Sequence, residues 1–262
     1  MPRPQRRLQT EACQNAGVVR VNKADAPTAI GPEAYASWRA TPLGAITEGI
    51  EQCLILDLMG DLAGRRVLDA GCGDGALICA AASRGAAATG IDPDPAMLAA
   101  ARSPVGGAAC GATFVQGRVE QLPFREASFD LVAAITVLCF VPDAAGAVRE
   151  MARVLRPGGR LVLGELGRWN SWAAIRRVRG WLGSSTWAAA RFRTGAELKS
   201  LVRQAGLSVT ATRGRVYYPP VGMLARALLP LDSGLGRLTT FGAAFIAVSA
   251  ERGDGHSEKG CW

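Results

Sequence analysis

The sequence predicts an α/β fold, an open and mainly parallel sheet with helices on both faces. Three observations predict it. Between residues 65 and 166, short apolar runs alternate with amphipathic helical runs, the pattern of strands buried on both faces and joined by crossover helices. Glycine and proline punctuate those runs where helices must stop and chains must turn. A glycine-rich turn, DAGCGDG at 69–75, leads from the first such strand into a helix. That is the edge where a parallel sheet receives its ligand.

The elements follow in order. Residues 1–30 mix Arg, Pro, Gln and Asn without periodicity and read as a mobile basic segment. From 31 to 60 two helices are expected, with Pro42 near the start of the second, where a missing N–H costs nothing. Ile46, Ile50, Leu54 and Leu58 mark its apolar face. RRVLDA (65–70) is a strand, 75–85 a helix ended by Gly85, and 86–92 a strand. A helix over 94–103 and strands at 112–117 and 129–136 come next. A helix over 143–155 is stopped by Pro157-Gly158-Gly159, and RLVLGEL (160–166) is a strand. A stretch rich in tryptophan and arginine, 168–192, reads as a helical insert. The helix at 194–206 starts in a capping box, Thr194 with Glu197, and ends at Gly206. Strands at 207–218 and 239–250 close the fold. One domain over 31–250 is expected, with a disordered tail at 251–262, and no internal repeat is visible.

Composition narrows the chemistry. The chain has 262 residues, a formal net charge of +8 and 49% hydrophobic residues. No run approaches the roughly 20 apolar residues of a membrane-spanning helix, and no apolar segment follows the N-terminal arginines as a secretory leader would require. A cytoplasmic protein is expected. Seven cysteines without a CxxC pair suggest reduced thiols. The single histidine, His256, lies in a polar tail, so the folded part has no imidazole for base catalysis or for a histidine-built metal site. No metal is expected.

The glycine turn carries the functional signal. Gly71, Gly73 and Gly75 let the backbone turn sharply and approach a ligand. Asp92 ends the next strand, where a carboxylate accepts both hydroxyls of a ribose. Taken loosely, Gly71-x-Gly73-x-x-Ala76 also fits a dinucleotide fingerprint. Asp69 and Asp74 beside it would repel a pyrophosphate. A ligand carrying a carboxylate, an ammonium and a sulfonium suits that mixed field better.

Here the chain resembles a known family. VLDAGCGDG (67–75) is similar to the glycine motif of class I S-adenosylmethionine (SAM)-dependent methyltransferases. GIDPDPAML (90–98) and 116–166 resemble the rest of their core, nearest to the branch with quinone-biosynthesis and small-molecule enzymes. The resemblance spans 35–250. It implies a Rossmann-like seven-stranded sheet, mostly parallel with an antiparallel last strand, plus N-terminal helices and a helical lid insert. It implies SAM as cofactor, with Asp69, Gly71 and Gly73 at its methionine end and Cys72 lining it. Asp92 would bind the ribose, Pro93 and Met97 would flank the adenine, and Val119 or Glu120 would meet the adenine edge. Ile135 and Thr136 would lie beside the sulfonium. Arg118 stands where the family often has an aspartate, and arginine accepts no hydrogen bond. Cys139-Phe140 replaces a histidine pair of many relatives. Tyr35, Trp38, Cys139, Tyr217 and Tyr218 are candidates for the acceptor pocket. No residue identifies itself as a catalytic base.

The expected function is methyl transfer to a small molecule, with methylation of a membrane-associated lipid or quinone as the second reading. A non-catalytic SAM-binding regulator and an NAD(P)-dependent oxidoreductase are the rival classes. DNA amino-methylation lacks its Asn/Asp-Pro-Pro-aromatic motif after the fourth strand, and arsenic methylation lacks a close cysteine pair. Within the insert, Ala174, Ile175, Val178, Trp181 and Leu182 share one helical side and Arg176, Arg177 and Arg179 the other. The expectation is a lid with its apolar side on the core and arginines in water, and peripheral contact with anionic lipid is the alternative.

Overall fold

The computed structural model describes residues 30–103 and 110–254. The expected mobile segment up to residue 29, Cys13, His256 and Cys261 lie outside those residues. Two helices lead in, α1 (Pro32–Ala40) and α2 (Pro42–Met59). Thr41 caps α2 by accepting the Gly44 N–H, and Pro42 takes the first helical position. Then follow β1 (Arg66–Ala70), α3 (Ala76–Ala82), β2 (Ala87–Asp92), α4 (Pro95–Arg102), β3 (Thr113–Gln116) and β4 (Phe129–Ile135). Next are α5 (Ala144–Val154), β5 (Leu155–Leu166), α6 (Ser171–Trp181), α7 (Ser185–Ala189) and α8 (Gly195–Gln204). β6 (Leu207–Arg215), α9 (Gly222–Leu238) and β7 (Phe245–Arg252) complete the order.

The strands form one seven-stranded sheet in the order β3-β2-β1-β4-β5-β7-β6. β1 to β5 pair in parallel, and β7 runs antiparallel to both β5 and β6. This is the expected Rossmann-like sheet. Alternation along β1 sends Leu68 and Ala70 to one face and Val67 to the other. The first face packs on α5 through Val148 and Met151 and on α8 through Leu198 and Val202. The second packs on α2 through Leu54, Ile55 and Met59 and on α3 through Ile78 and Ala81. The capping box of α8 is present as read.

Several expectations are corrected. The buried side of α2 carries Gly44, Thr47, Leu54, Ile55 and Met59, while Ile46, Ile50 and Leu58 are only partly covered. The sheet requires a stripe rotated from the one read in the sequence, and a threonine sits in it. α9 is a 17-residue helix, with Pro230 inside it, where no element was expected. β6 ends at Arg215, three residues early. β7 runs two residues past the expected domain end, and the Arg252 guanidinium ties it down by donating to the carbonyls of Ala152, Arg153 and Leu155. Cys79 and Cys110 form a disulfide rather than two free thiols. Cys53, Cys72 and Cys139 are free.

Candidate cofactor and acceptor site

The corner after β1 is built by three glycines at positive φ: Gly71 at 87°, Gly73 at 53° and Gly75 at 83°. Each does something different. A Cβ on Gly71 would lie 2.3 Å from Val137 Cγ2, so the turn passes directly under the chain leaving β4. A Cβ on Gly75 would press on Phe114 and Ala101 at 3.0 and 3.1 Å. A Cβ on Gly73 would meet nothing within 4 Å, so this backbone borders open space. The N–H groups of Gly71 and Cys72 both donate to the Ile91 carbonyl, tying the turn to the end of β2.

Asp69 and Asp92 converge on that corner. Asp69 is buried, and its carboxylate makes no hydrogen bond or ion pair with the described residues. Burial first, and Asp92 second, raise its pKa to about 7. Asp92 accepts N–H groups from Gly73 and Asp94, each at 2.9 Å and each on a different oxygen. A carboxylate oxygen accepts twice, so one lone pair on each remains for a hydroxyl. Burial raises the Asp92 pKa too, against the pull of those two N–H groups. An unpaired buried carboxylate beside an open, side-chain-free backbone fits SAM, whose ammonium and sulfonium would supply the missing positive charge.

The other expected cofactor contacts distribute as follows. Met97 and Val119 are buried. The Pro93 carbonyl accepts from Gln116 Nε2 at 3.2 Å. Arg118 pairs with one oxygen of Glu120 at 3.1 Å, which leaves the other oxygen of this adenine-edge candidate to accept. Cys72 turns its sulfur onto β2, where a Cβ on Gly90 would come within 2.8 Å of it. Burial holds that thiol protonated. It fills space under the turn.

Ile135 and Thr136 end β4. Thr136 has φ 54°, an unfavourable value for a β-branched residue. Its N–H donates to the Gly164 carbonyl at 2.6 Å. Buried Glu165, at the end of β5, accepts the next three N–H groups, from Val137, Leu138 and Cys139, at 3.1, 2.7 and 3.1 Å. Its pKa rises to about 7 because burial outweighs nearby Arg193. Glu165 thus fixes the strained loop, a role its place in an apolar run did not announce.

α1 and α2 roof the corner. Arg39 ion-pairs with Asp74 of the glycine turn and with Glu48 at 3.4 Å, and lies 4.4 Å over the Tyr35 ring. Tyr35 stacks with Trp38 at 6.0 Å. Burial, then Glu51 and Glu48, raise its pKa to about 12. On α2, Thr47, Glu51 and Ile55 recur every four residues and share a face. Thr47 shares a hydrogen bond with the Tyr218 hydroxyl at 3.1 Å. Ile55 packs where a Cβ on Gly164 of β5 would be 3.0 Å away. Glu51 lies between them, over the carboxyl edge of the sheet. It makes no hydrogen bond or ion pair with the described residues. Burial raises its pKa to about 8, opposed by Arg176 and aided by Glu48.

The insert is turned over relative to expectation. Arg176 lies 5.4 Å from the Trp172 ring and 5.0 Å from the Trp187 ring, and Arg177 lies against Trp169 and Phe192 at 5.9 and 5.2 Å. Ile175, Val178, Trp181 and Leu182 face solvent, Trp181 at 84% exposure. Aromatic rings solvate the guanidinium faces, so the insert packs inward through Arg176 and Arg177, while Arg179 stays exposed as expected. Trp172 Nε1 donates to the Tyr218 carbonyl at 2.8 Å, seating α6 on the same residue that reaches Thr47. Of the acceptor candidates, Tyr35 and Tyr218 flank Glu51. Cys139 is buried under the lid with Leu166, Ala173 and Phe192, its thiol donating to the Thr136 carbonyl at 3.3 Å. Burial and Glu165 keep that thiol protonated. Tyr217 turns away: its hydroxyl donates to the Thr239 carbonyl beyond α9.

Known proteins are similar to this chain in sequence or in fold. A family profile described as a methyltransferase domain matches residues 68–163. The ubiquinone biosynthesis O-methyltransferase of Pseudomonas aeruginosa is 36% identical over 171 residues, 63% of this chain and 73% of that one. An uncharacterized protein of Mycobacterium tuberculosis is 32% identical over 219 residues, 83% and 70%. Among solved structures, a SAM-dependent methyltransferase of Thermotoga maritima, described as a possible histamine N-methyltransferase, superposes with TM-score 0.62 at 22% identity, covering 84% of this chain and 95% of that one. Magnesium protoporphyrin IX methyltransferase of Synechocystis, crystallised with bound S-adenosylhomocysteine, gives TM-score 0.56 at 19% identity over 94% of both chains.

Proposed function

Since the chain belongs to the class I SAM-dependent methyltransferases, we propose that it methylates a small acceptor held between α2 and α6, with Glu51 taking the proton of the attacking group. The observation that carries this reading is the Glu51 carboxylate, partly enclosed and without a protein partner, one helical turn from the residue that packs on the ends of β4 and β5. Family membership excludes the oxidoreductase alternative.

SAM supplies a methyl carbon on a sulfonium, an electrophile that needs no further activation. This chain's residues then have three tasks. Asp69 and Asp92 would hold opposite ends of the cofactor through its positive charge and its ribose. Glu165 and the strained Thr136 fix the floor under the reacting centre, so alignment requires little reorganisation. Glu51 accepts a proton as the acceptor's oxygen or nitrogen attacks, a task for which the described residues offer no histidine. A carboxyl with pKa about 8 is a stronger base than an ordinary glutamate. The quinone-pathway relative supports a ring hydroxyl as the acceptor group. Aromatic walls from Tyr35, Trp172 and Tyr218 suit such a ring. Membrane contact through the insert is the second reading, and the outward Trp181 and Leu182 favour it.

The test uses methyl-tritiated SAM with a small-molecule cell extract and with 3,4-dihydroxybenzoate as a defined catechol. Label in the low-molecular-weight fraction, matched by S-adenosylhomocysteine, is expected. Label found only in protein or nucleic acid would overturn the small-acceptor reading.

A further inference from the structure

α9 exposes an apolar face that nothing in the described chain covers. Of its 17 residues only Ala225, Asp232 and Gly236 are buried. They lie on one side, against β6 and the residues around Tyr218. On the opposite side Met223, Ala227, Leu231, Gly234 and Leu238 follow one another at helical spacing, with Leu224 and Leu235 beside them. Met223 is 83% exposed, Leu231 61% and Leu238 85%. Phe241, 75% exposed, extends the face beyond the helix end. A helix that spans about 25 Å at 1.5 Å per residue thus presents leucines to solvent along its whole length. Single exposed leucines need no explanation, but a continuous patch does.

Charge decides what covers it. The only acid on α9, Asp232, points inward, where it accepts the Tyr217 N–H at 2.8 Å and faces Arg215 at 3.7 Å. The exposed charges on the helix are Arg226 and Arg237, which sit together at one rim of the apolar face. A second copy packed antiparallel on this face would bring those arginines against their own equivalents with no acid between them, and a parallel one would set them against the leucines of the opposite rim. An anionic bilayer meets both demands, because acyl chains take the leucines and phosphates take the arginines. No helix among the described residues is long and apolar enough to cross a membrane, so the helix would lie in the interface. Continuity supports this. Phe241, at the end of the face, lines one hollow with Trp169 at the start of the insert, so the face continues to the insert.

We infer that α9 docks this protein onto anionic membrane surfaces, with Met223, Leu231, Leu238 and Phe241 entering the acyl boundary and Arg226 and Arg237 at the phosphates. This goes beyond the methyl-transfer reading, and vesicle binding is measured without any acceptor.

The experiment is flotation of the full chain with vesicles of phosphatidylcholine and phosphatidylglycerol at 3:1, and of phosphatidylcholine alone. Expected is binding to the anionic vesicles that weakens as sodium chloride rises, and weaker binding to the neutral ones. The Leu231→Ser/Leu238→Ser variant should lose at least about tenfold in partition coefficient, from the transfer free energy of exposed leucine side chains. Unchanged SAM affinity and melting temperature would show the variant folded. Three results would each overturn the inference: no flotation with anionic vesicles, equal flotation of the folded double variant, or a dimer in sedimentation that this variant alone dissociates.

Discussion

The unpaired carboxylate of Asp69 makes cofactor affinity a function of pH. Its pKa is about 7 without ligand, so roughly one molecule in eleven carries it ionised at pH 6 and about ten in eleven at pH 8. If the cofactor's ammonium needs the ionised form, apparent affinity scales with that fraction. The dissociation constant for SAM should therefore tighten about tenfold from pH 6 to pH 8. No histidine lies among the described residues to confuse that range. Glu165 also titrates near 7, but its oxygens are engaged by the loop after β4. Replacing Asp69→Asn keeps the shape and removes the titration. Isothermal titration calorimetry at pH 6, 7 and 8 reads both proteins. The variant should bind more weakly at pH 8 and change less than about threefold across the range. A wild-type constant that is flat within twofold, or a variant that keeps the tenfold slope, would refute the assignment.

Other outcomes follow from the same geometry. Gly71→Ala puts a methyl 2.3 Å from Val137 at φ 87°; it should cost about 1–3 kcal/mol, visible as a lower melting temperature, and abolish SAM binding in calorimetry. Glu51→Gln should leave SAM affinity within about twofold and cut methyl transfer more than about 100-fold, with the rising pH limb near 8 gone; unchanged kcat would remove Glu51 from proton transfer. Asp69, Glu165 and Glu51 all have folded pKa values above their unfolded ones, at about 7, 7 and 8. The stability they confer is full below about pH 4 and is lost as pH rises through those values. The ligand-free protein should accordingly melt higher at pH 5.5 than at pH 8.5 by scanning calorimetry, and a flat or opposite trend would contradict the burial of these groups.

What the sequence revealed and what it hid have physical reasons. β1, β2, β4 and β5 were legible because strands buried on both faces are largely apolar, although β5 starts at Leu155, five residues before the strand read in the sequence, and runs through Pro157-Gly158-Gly159. Asp69, Gly71, Gly73 and Asp92 were legible because backbone conformation and carboxylate placement leave few other residue choices. Glu51 and Glu165 were not, since each needs a partner or a void supplied by a distant segment. A signal existed for Glu51: an acid between Thr47 and Ile55 at helical spacing lies on a side the sheet was bound to cover. α9 escaped because Pro230 and its glycines interrupt the run of helix formers and its apolar stripe faces solvent rather than the core. The lid was read backwards because hydropathy counts arginine as wet, whereas Arg176 and Arg177 lie against tryptophan and phenylalanine faces. Cys79 and Cys110 are 31 residues apart and carry no spacing signature.

The ion pair between Arg39 and Asp74 has a kinetic corollary. It fastens the first helix to the loop that cradles the cofactor, and that helix belongs to the roof over the acceptor. Exchange of spent cofactor therefore demands that the latch part and the acceptor chamber open in one motion. Parting this latch by Arg39→Ala should therefore speed release of S-adenosylhomocysteine, read by stopped-flow, and an unchanged release rate would show that the ion pair does not gate exchange.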